Sequence, residues 1–126
     1  MKRFLLTLVL TAISLVAVSQ SVSIEGSKLE VRNENDELIA SNYFTGMTQA
    51  VCGYEIVAIL YDKGRVEVRN LKLDLLSSNY FTGVLGLAIT AKSMAKRPEP
   101  RIIMYYNDRK VETRDKELNL ISTRYH

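Results

Sequence analysis

The hexapeptide Ser-Asn-Tyr-Phe-Thr-Gly occupies residues 41–46 and recurs at 78–83, 37 positions later in a chain of 126 residues. It is the tail of a longer unit. Residues 28–46 and 65–83 align without a gap: Glu30, Val31, Arg32 and Asn33 match Glu67, Val68, Arg69 and Asn70, and Leu38 matches Leu75. A third copy spans 110–126, where Val111, Glu112 and Arg114 match Val66, Glu67 and Arg69. Leu120, Ile121, Ser122 and Tyr125 then match Leu75, Leu76, Ser77 and Tyr80. A tandem repeat constrains the fold severely. Each copy must build the same small element, and an element that cannot bury its apolar face alone must stack on its neighbours.

The repeat reads as β-structure. In Lys-Leu-Glu-Val-Arg-Asn the apolar side chains alternate with charged ones, the period of a half-exposed strand. Glu-Asn-Asp-Glu supplies turn residues before Leu-Ile-Ala-Ser-Asn-Tyr-Phe, so the two runs form a hairpin. Between copies lie a short apolar strand (Gln49–Gly53, matched by Val84–Thr90) and a longer one (Ile56–Tyr61, matched by 102–106). Residues 22–26 take the longer strand's role before the first copy, which has no clear inner strand unless residues 18–22 supply it. The continuous apolar run Ile56–Tyr61 suits a strand covered on both faces. Strands are expected at 28–33, 38–44, 56–61, 65–70, 74–81, 102–106, 110–114 and 118–124. Gly64, in an Asp-Lys-Gly-Arg turn, is expected at positive φ.

The fold class is therefore all-β, as tandem four-stranded antiparallel units at about 22–46, 47–83 and 84–126. Residues 56–76 resemble the middle of a WD40-like or related β-propeller blade. There, one strand ends Asp-x-Gly, the next begins Val-x-Val, and a polar turn leads to Leu-Leu; Asp62, Gly64, Val66 and Val68 hold those places. Arg69 and Asn70 stand where that family carries Trp and Asp, and Ser27 and Arg109 replace the glycine in the other copies. The resemblance extends over nearly all of residues 20–126 and implies a propeller-like ring, of which this chain holds about three blades.

Residues 1–19 have a different grammar. Lys2 and Arg3 precede a largely apolar stretch from Phe4 to Val18, and Ala17 and Ser19 flank a cut before Gln20. This reads as a cleavable secretory signal. The stretch is short for a membrane span, which needs roughly 20 apolar residues; an uncleaved anchor is the alternative. Export to the periplasm or the extracellular space is expected, with no membrane span after cleavage. Removing Lys2 and Arg3 lowers the formal charge from +3 to +1, and nucleic acid is not an expected partner. The single cysteine, Cys52, cannot make an internal disulfide; its apolar neighbours suggest a buried thiol.

The catalytic inventory is thin. Ser-His-acid or Cys-His chemistry needs a positioned base, and the lone histidine is His126. Clustered zinc ligands and glycine-rich phosphate loops are missing from the sequence, so neither metal nor cofactor is expected. Asp36, Glu37, Asp62, Asp74, Asp108 and Asp115 all fall at predicted turns. The chain is read as a non-enzyme, the alternative being a carboxylate-based hydrolase formed in an assembled ring.

Two repeated features remain as binding candidates. Arg32, Arg69 and Arg114 each follow a glutamate by two, which reads either as a partner-recognising ladder or as a solvated face of weak ion pairs. Tyr43, Tyr80 and Tyr125 recur as amphipathic aromatics suited to a binding surface or to packing between blades. The insertion at 91–100 adds Lys96 and Arg97 on a loop. The functional expectation is an exported interaction module binding a protein or serving as a scaffold, with a carbohydrate-binding, lectin-like propeller as alternative. Three blades leave open flanks, an aggregation hazard. Two copies closing head to tail, or a partner chain, would cover them.

Overall fold

The computed structural model describes residues 20–92 and 98–126. The expected leader (1–19) and the loop residues Lys96 and Arg97 lie outside the described residues. Eleven strands form three antiparallel sheets. The first holds β1 (Ser21–Glu25), β2 (Lys28–Arg32) and β3 (Leu38–Tyr43). The second runs β4 (Met47–Gly53), β5 (Ile56–Tyr61), β6 (Arg65–Asn70) and β7 (Leu75–Tyr80). The third runs β8 (Val84–Lys92), β9 (Glu99–Tyr106), β10 (Lys110–Arg114) and β11 (Leu120–Tyr125). In each sheet, strands follow in chain order and adjacent ones pair, so all connections within a sheet are hairpins.

The expected strands are present, including the inner pair β4 and β8. Ser21–Glu25 pairs with β2 from Ser21↔Arg32 to Glu25↔Lys28. It therefore fills the position of β5 and β9, and the innermost position of the first sheet is unfilled among the described residues.

The sheets stack through two apolar layers. Ala58, Leu60, Val66 and Val68 on one face of the second sheet meet Leu87, Ile102, Met104 and Tyr106 of the third. The opposite face, carrying Val57, Ile59 and Tyr61, meets Leu29 and Val31 of the first. Strand β5 thus has a buried residue at every position, as its unbroken apolar run requires. The middle sheet is sandwiched, and repetition explains why. A strand between two copies of itself must be apolar on both sides.

Turn chemistry repeats as well. Asn33, Asn70 and Asp115 each accept two backbone N–H bonds through Oδ1, from the residues two and four positions on. These Asx turns hold Asp36, Leu73 and Leu118 at φ +63°, +70° and +67°. At the other end of each charged strand the hairpin corner needs a left-handed residue. Gly64 fills it at φ +86°, as expected from its sequence, and Arg109 does so at +73° in the third sheet.

Candidate functional site

The arginine–glutamate ladder is where the sequence and the fold part company. The reading of this face as solvated holds poorly: Glu67 and Glu112 are 3% and 6% exposed. Each lies on the face of its sheet that meets the preceding sheet, so the neighbour covers what an isolated hairpin would expose. The buried carboxylates are satisfied from several directions. Tyr61 donates its hydroxyl to Glu67 Oε1 at 2.6 Å, and Tyr106 to Glu112 Oε1 at 2.5 Å. Arg65 and Arg69 flank Glu67 at 3.1 Å each, while Lys110 and Arg114 flank Glu112 at 3.7 and 3.0 Å.

Burial alone would push both carboxyls up. The tyrosine hydroxyls and the adjacent arginines overcome it and hold Glu67 and Glu112 below the ordinary glutamate range. The same arrangement drives the Tyr61 and Tyr106 hydroxyls well above the usual phenol range, first through burial and then through the bonded carboxylate. In the first sheet the strand-end position of Tyr61 and Tyr106 is taken by Glu25, and Glu30 stays half-buried between Lys28 and Arg32, both at 3.2 Å.

The arginines themselves are internally committed. A β-bulge recurs at Val31/Arg32, Val68/Arg69 and Thr113/Arg114 and re-aims each side chain along the sheet end. Arg32, Arg69 and Arg114 each donate to the carbonyl of the left-handed turn residue, Asp36, Leu73 and Leu118, at 2.8 to 2.9 Å. Arg69 also lies over the Phe44 ring at 4.5 Å, and Arg114 over Phe81 at 4.6 Å. Both rings belong to the Phe-Thr-Gly corner of the preceding sheet, so the arginine is a lock between neighbours. Arg32 makes no such stack among the described residues, and its side chain is 35% exposed.

The tyrosines behave in the opposite way. Tyr43, Tyr80 and Tyr125 are 66%, 68% and 67% exposed, so none of them packs between the described blades. They end the outermost strands β3, β7 and β11, in register with Lys28, Arg65 and Lys110. The same strands expose Leu38, Leu75, Leu76, Leu120 and Ile121. A threefold row of aromatic and aliphatic groups, each ring opposite a cation, therefore lines the outer rim. Cys52 is half-buried rather than fully enclosed, and desolvation pushes its thiol up. The six acidic turn residues lie in the connections between strands. Sequence reasoning missed the buried Tyr–Glu pairs. Their signal was a tyrosine six residues before the glutamate in copies two and three and not in copy one.

The outward face of the first sheet carries Ser21, Ser23 and Glu25, in register with Arg32, Glu30 and Lys28. The equivalent positions of the other sheets are Val57, Ile59 and Tyr61, and Ile102, Met104 and Tyr106. A polar terminal face is how a stacked array ends. Head-to-tail closure of two copies would lack, on this side, the apolar stripe that both internal junctions use.

No protein-family model and no curated protein matches the chain. Among solved structures it is similar to BBS1N in crystals of its complex with ARL6DN soaked with lead, with TM-score 0.66 and 14% identity. That match covers 85% of this chain and 38% of the other. The same complex soaked with mercury gives TM-score 0.67 and 14% identity, over 85% and 33%. BamB from Moraxella catarrhalis gives 0.59 and 12%, over 85% and 34%. The chain thus spans a third to two-fifths of these chains. The likeness shows the fold: these neighbours are β-propellers, and the three sheets are propeller-like blades.

Proposed function

We propose that this protein is an exported interaction module, delivered to the periplasm or the cell exterior, whose propeller-like blades present the outer rim to a protein partner. The observation that carries this reading is the repeated exposure of Tyr43, Tyr80 and Tyr125 beside exposed leucines on β3, β7 and β11. Aromatic anchors with an apolar body and a polar tip are the side chains that dominate protein interfaces. Three copies at equivalent positions multiply a weak contact without any new chemistry. The internal commitment of Arg69 and Arg114 removes them from the binding set and leaves Arg32 as the ladder residue with exposed surface. A neighbour of the same fold, BBS1N, was crystallised in complex with ARL6DN, which supports the use of such blades to hold another protein.

The test is a triple variant, Tyr43→Ala, Tyr80→Ala and Tyr125→Ala, expressed in the exporting host. Circular dichroism and melting behaviour should be unchanged, because the rings pack against little. Crosslinking in the native compartment, followed by mass spectrometry, should lose the partner captured by the wild type. Retention of that partner refutes the rim as the docking surface. Binding of the wild type to a glycan array, abolished in the triple variant, favours the lectin reading instead.

A further inference from the structure

The junction between the second and third sheets departs from the one before it, and the departure opens a cleft. Where the first and second sheets meet, Ile39 of β3 and Leu71 of the β6–β7 turn pack against the core. Their counterparts one repeat later are Leu76 and Lys116. Leu76 is 44% exposed and Lys116 is exposed, and both line a cleft of about 520 Å³ between the two sheets. That volume lies in the range of ligand-binding cavities. By the rule of the repeat a leucine would lean into this space; a cation stands there instead.

The other walls are also particular to this junction. Pro98 and Pro100 line the cleft and belong to the insertion of the third unit, where their rings fix φ and stiffen the wall. Tyr54 and Glu55, also at the cleft, form the two-residue loop between β4 and β5 at φ +51° and +70°. That loop geometry favours Asn-Gly, so two large side chains are held in it against backbone preference, as happens at ligand clamps. Ser77 Oγ donates to the Lys116 carbonyl at 2.7 Å, which pins the lysine's backbone to the second sheet. Asn70 lies at the cleft too, but its side chain is committed to its own turn. Its Oδ1 accepts from the Lys72 and Asp74 N–H groups, and its Nδ2 donates to Asp74 Oδ2. Glu55 and Lys116 are in no ion pair among the described residues. The cleft therefore offers one carboxylate and one ammonium beside apolar walls.

We infer that this cleft binds a linear segment of a protein partner, its apolar residues seated on Tyr54, Leu76, Pro98 and Pro100. An acidic residue of the segment meets Lys116 and a basic one meets Glu55. The occupant follows from charge. A guest of one sign would satisfy one group and sit beside a like charge, and a sugar would find the Asn70 amide already bonded. The site is separate from the rim tyrosines, and neither reading depends on the other.

The probe is an array of end-blocked pentapeptides with Lys or Arg at one end, Asp or Glu at the other and three apolar residues between. The same array with glutamine at both ends is the control. The purified protein should prefer the charged set, by about fivefold for each charge. Lys116→Leu, which copies Leu71 of the second unit, should abolish the preference for the acidic residue, and Glu55→Gln that for the basic one. Lys116→Glu should turn the preference toward peptides basic at both ends, a gain that a misfolded variant cannot produce. Replacing Tyr43, Tyr80 and Tyr125 by alanine should leave the pattern intact. Equal binding of the charged and neutral sets, or a charge preference that survives Lys116→Leu and Glu55→Gln, overturns the cleft. Loss of the pattern in the tyrosine variant alone places the peptide on the rim and also refutes it.

Discussion

Replacing Gly64 by alanine tests the repeat geometry at its tightest point. Gly64 sits at φ +86°, and a Cβ built there would lie 2.6 Å from the Phe81 carbonyl oxygen. Two costs add. A left-handed non-glycine residue loses about 1–2 kcal/mol, and the Phe81 carbonyl must retreat. That carbonyl cannot swing aside as a side chain would, since Phe81 N–H is anchored to the Gly64 carbonyl at 2.8 Å. Losing that bond costs a further 1 kcal/mol or so, giving about 2–3 kcal/mol in all. Gly26 supplies the control: its φ is +65°, but nothing lies within 4 Å of a built Cβ, so Gly26→Ala should cost about 1 kcal/mol. Urea unfolding followed by circular dichroism measures both. For a domain of this size the larger change lowers Tm by more than about 10 °C. Equal destabilisation at the two positions would refute the claim that the Phe81 contact, rather than φ alone, makes glycine obligatory at 64.

The remaining predictions concern the buried carboxylates and the third corner. Tyr61→Phe leaves Glu67 with one bond fewer in a buried setting and should cost about 1.5–3 kcal/mol, the range for hydrogen bonds to charged groups; urea titration checks it, and a shift near zero contradicts the role of the hydroxyl. Glu67 and Glu112 titrate below their ordinary value of 4.5 in the folded chain. A depressed folded pKa contributes stability that is full above the unfolded pKa and is lost as pH falls through the folded one. The midpoint of urea unfolding should therefore drop from about pH 5 downward, and the drop should be shallower in a Glu67→Gln, Glu112→Gln variant; parallel profiles count against it. Arg109 occupies the Gly64 corner at φ +73° with a side chain, so Arg109→Gly should stabilise by about 0.5–1 kcal/mol; a lower melting temperature would show that its bond to the His126 carbonyl outweighs the strain.

The repeat made most of the fold legible. Once 28–46 and 65–83 were aligned, each strand, its turn and the left-handed corner at Gly64 followed from one unit, since stacking forces every copy into the same geometry. Burial of the charged strand was not legible, for a definite reason. The alternation in Arg-Val-Glu-Val-Arg reports how one hairpin would partition, but the glutamate face of the second and of the third sheet is covered by the sheet before it. What keeps Glu67 charged there is the Tyr61 hydroxyl, on a different strand, together with Arg69 and Arg65. For the rim tyrosines the sequence left binding and packing between blades both open, because the repeat fixes their position and not what lies over it. Among the described residues β7 and β11 are the last strands of their sheets, and no blade reaches over them.

The stacks of Arg69 on Phe44 and Arg114 on Phe81 run in one direction only, from each blade back to the one before it. During synthesis the chain emerges amino end first, at roughly 5–20 residues per second. The Phe44 corner therefore waits, unfastened, until the following charged strand has left the ribosome, and the Phe81 corner waits again for Arg114. Maturation of this protein is sequential by construction. A nascent chain halted after the second hexapeptide would hold one fastened corner and one loose one, and only the arrival of β10 closes the second.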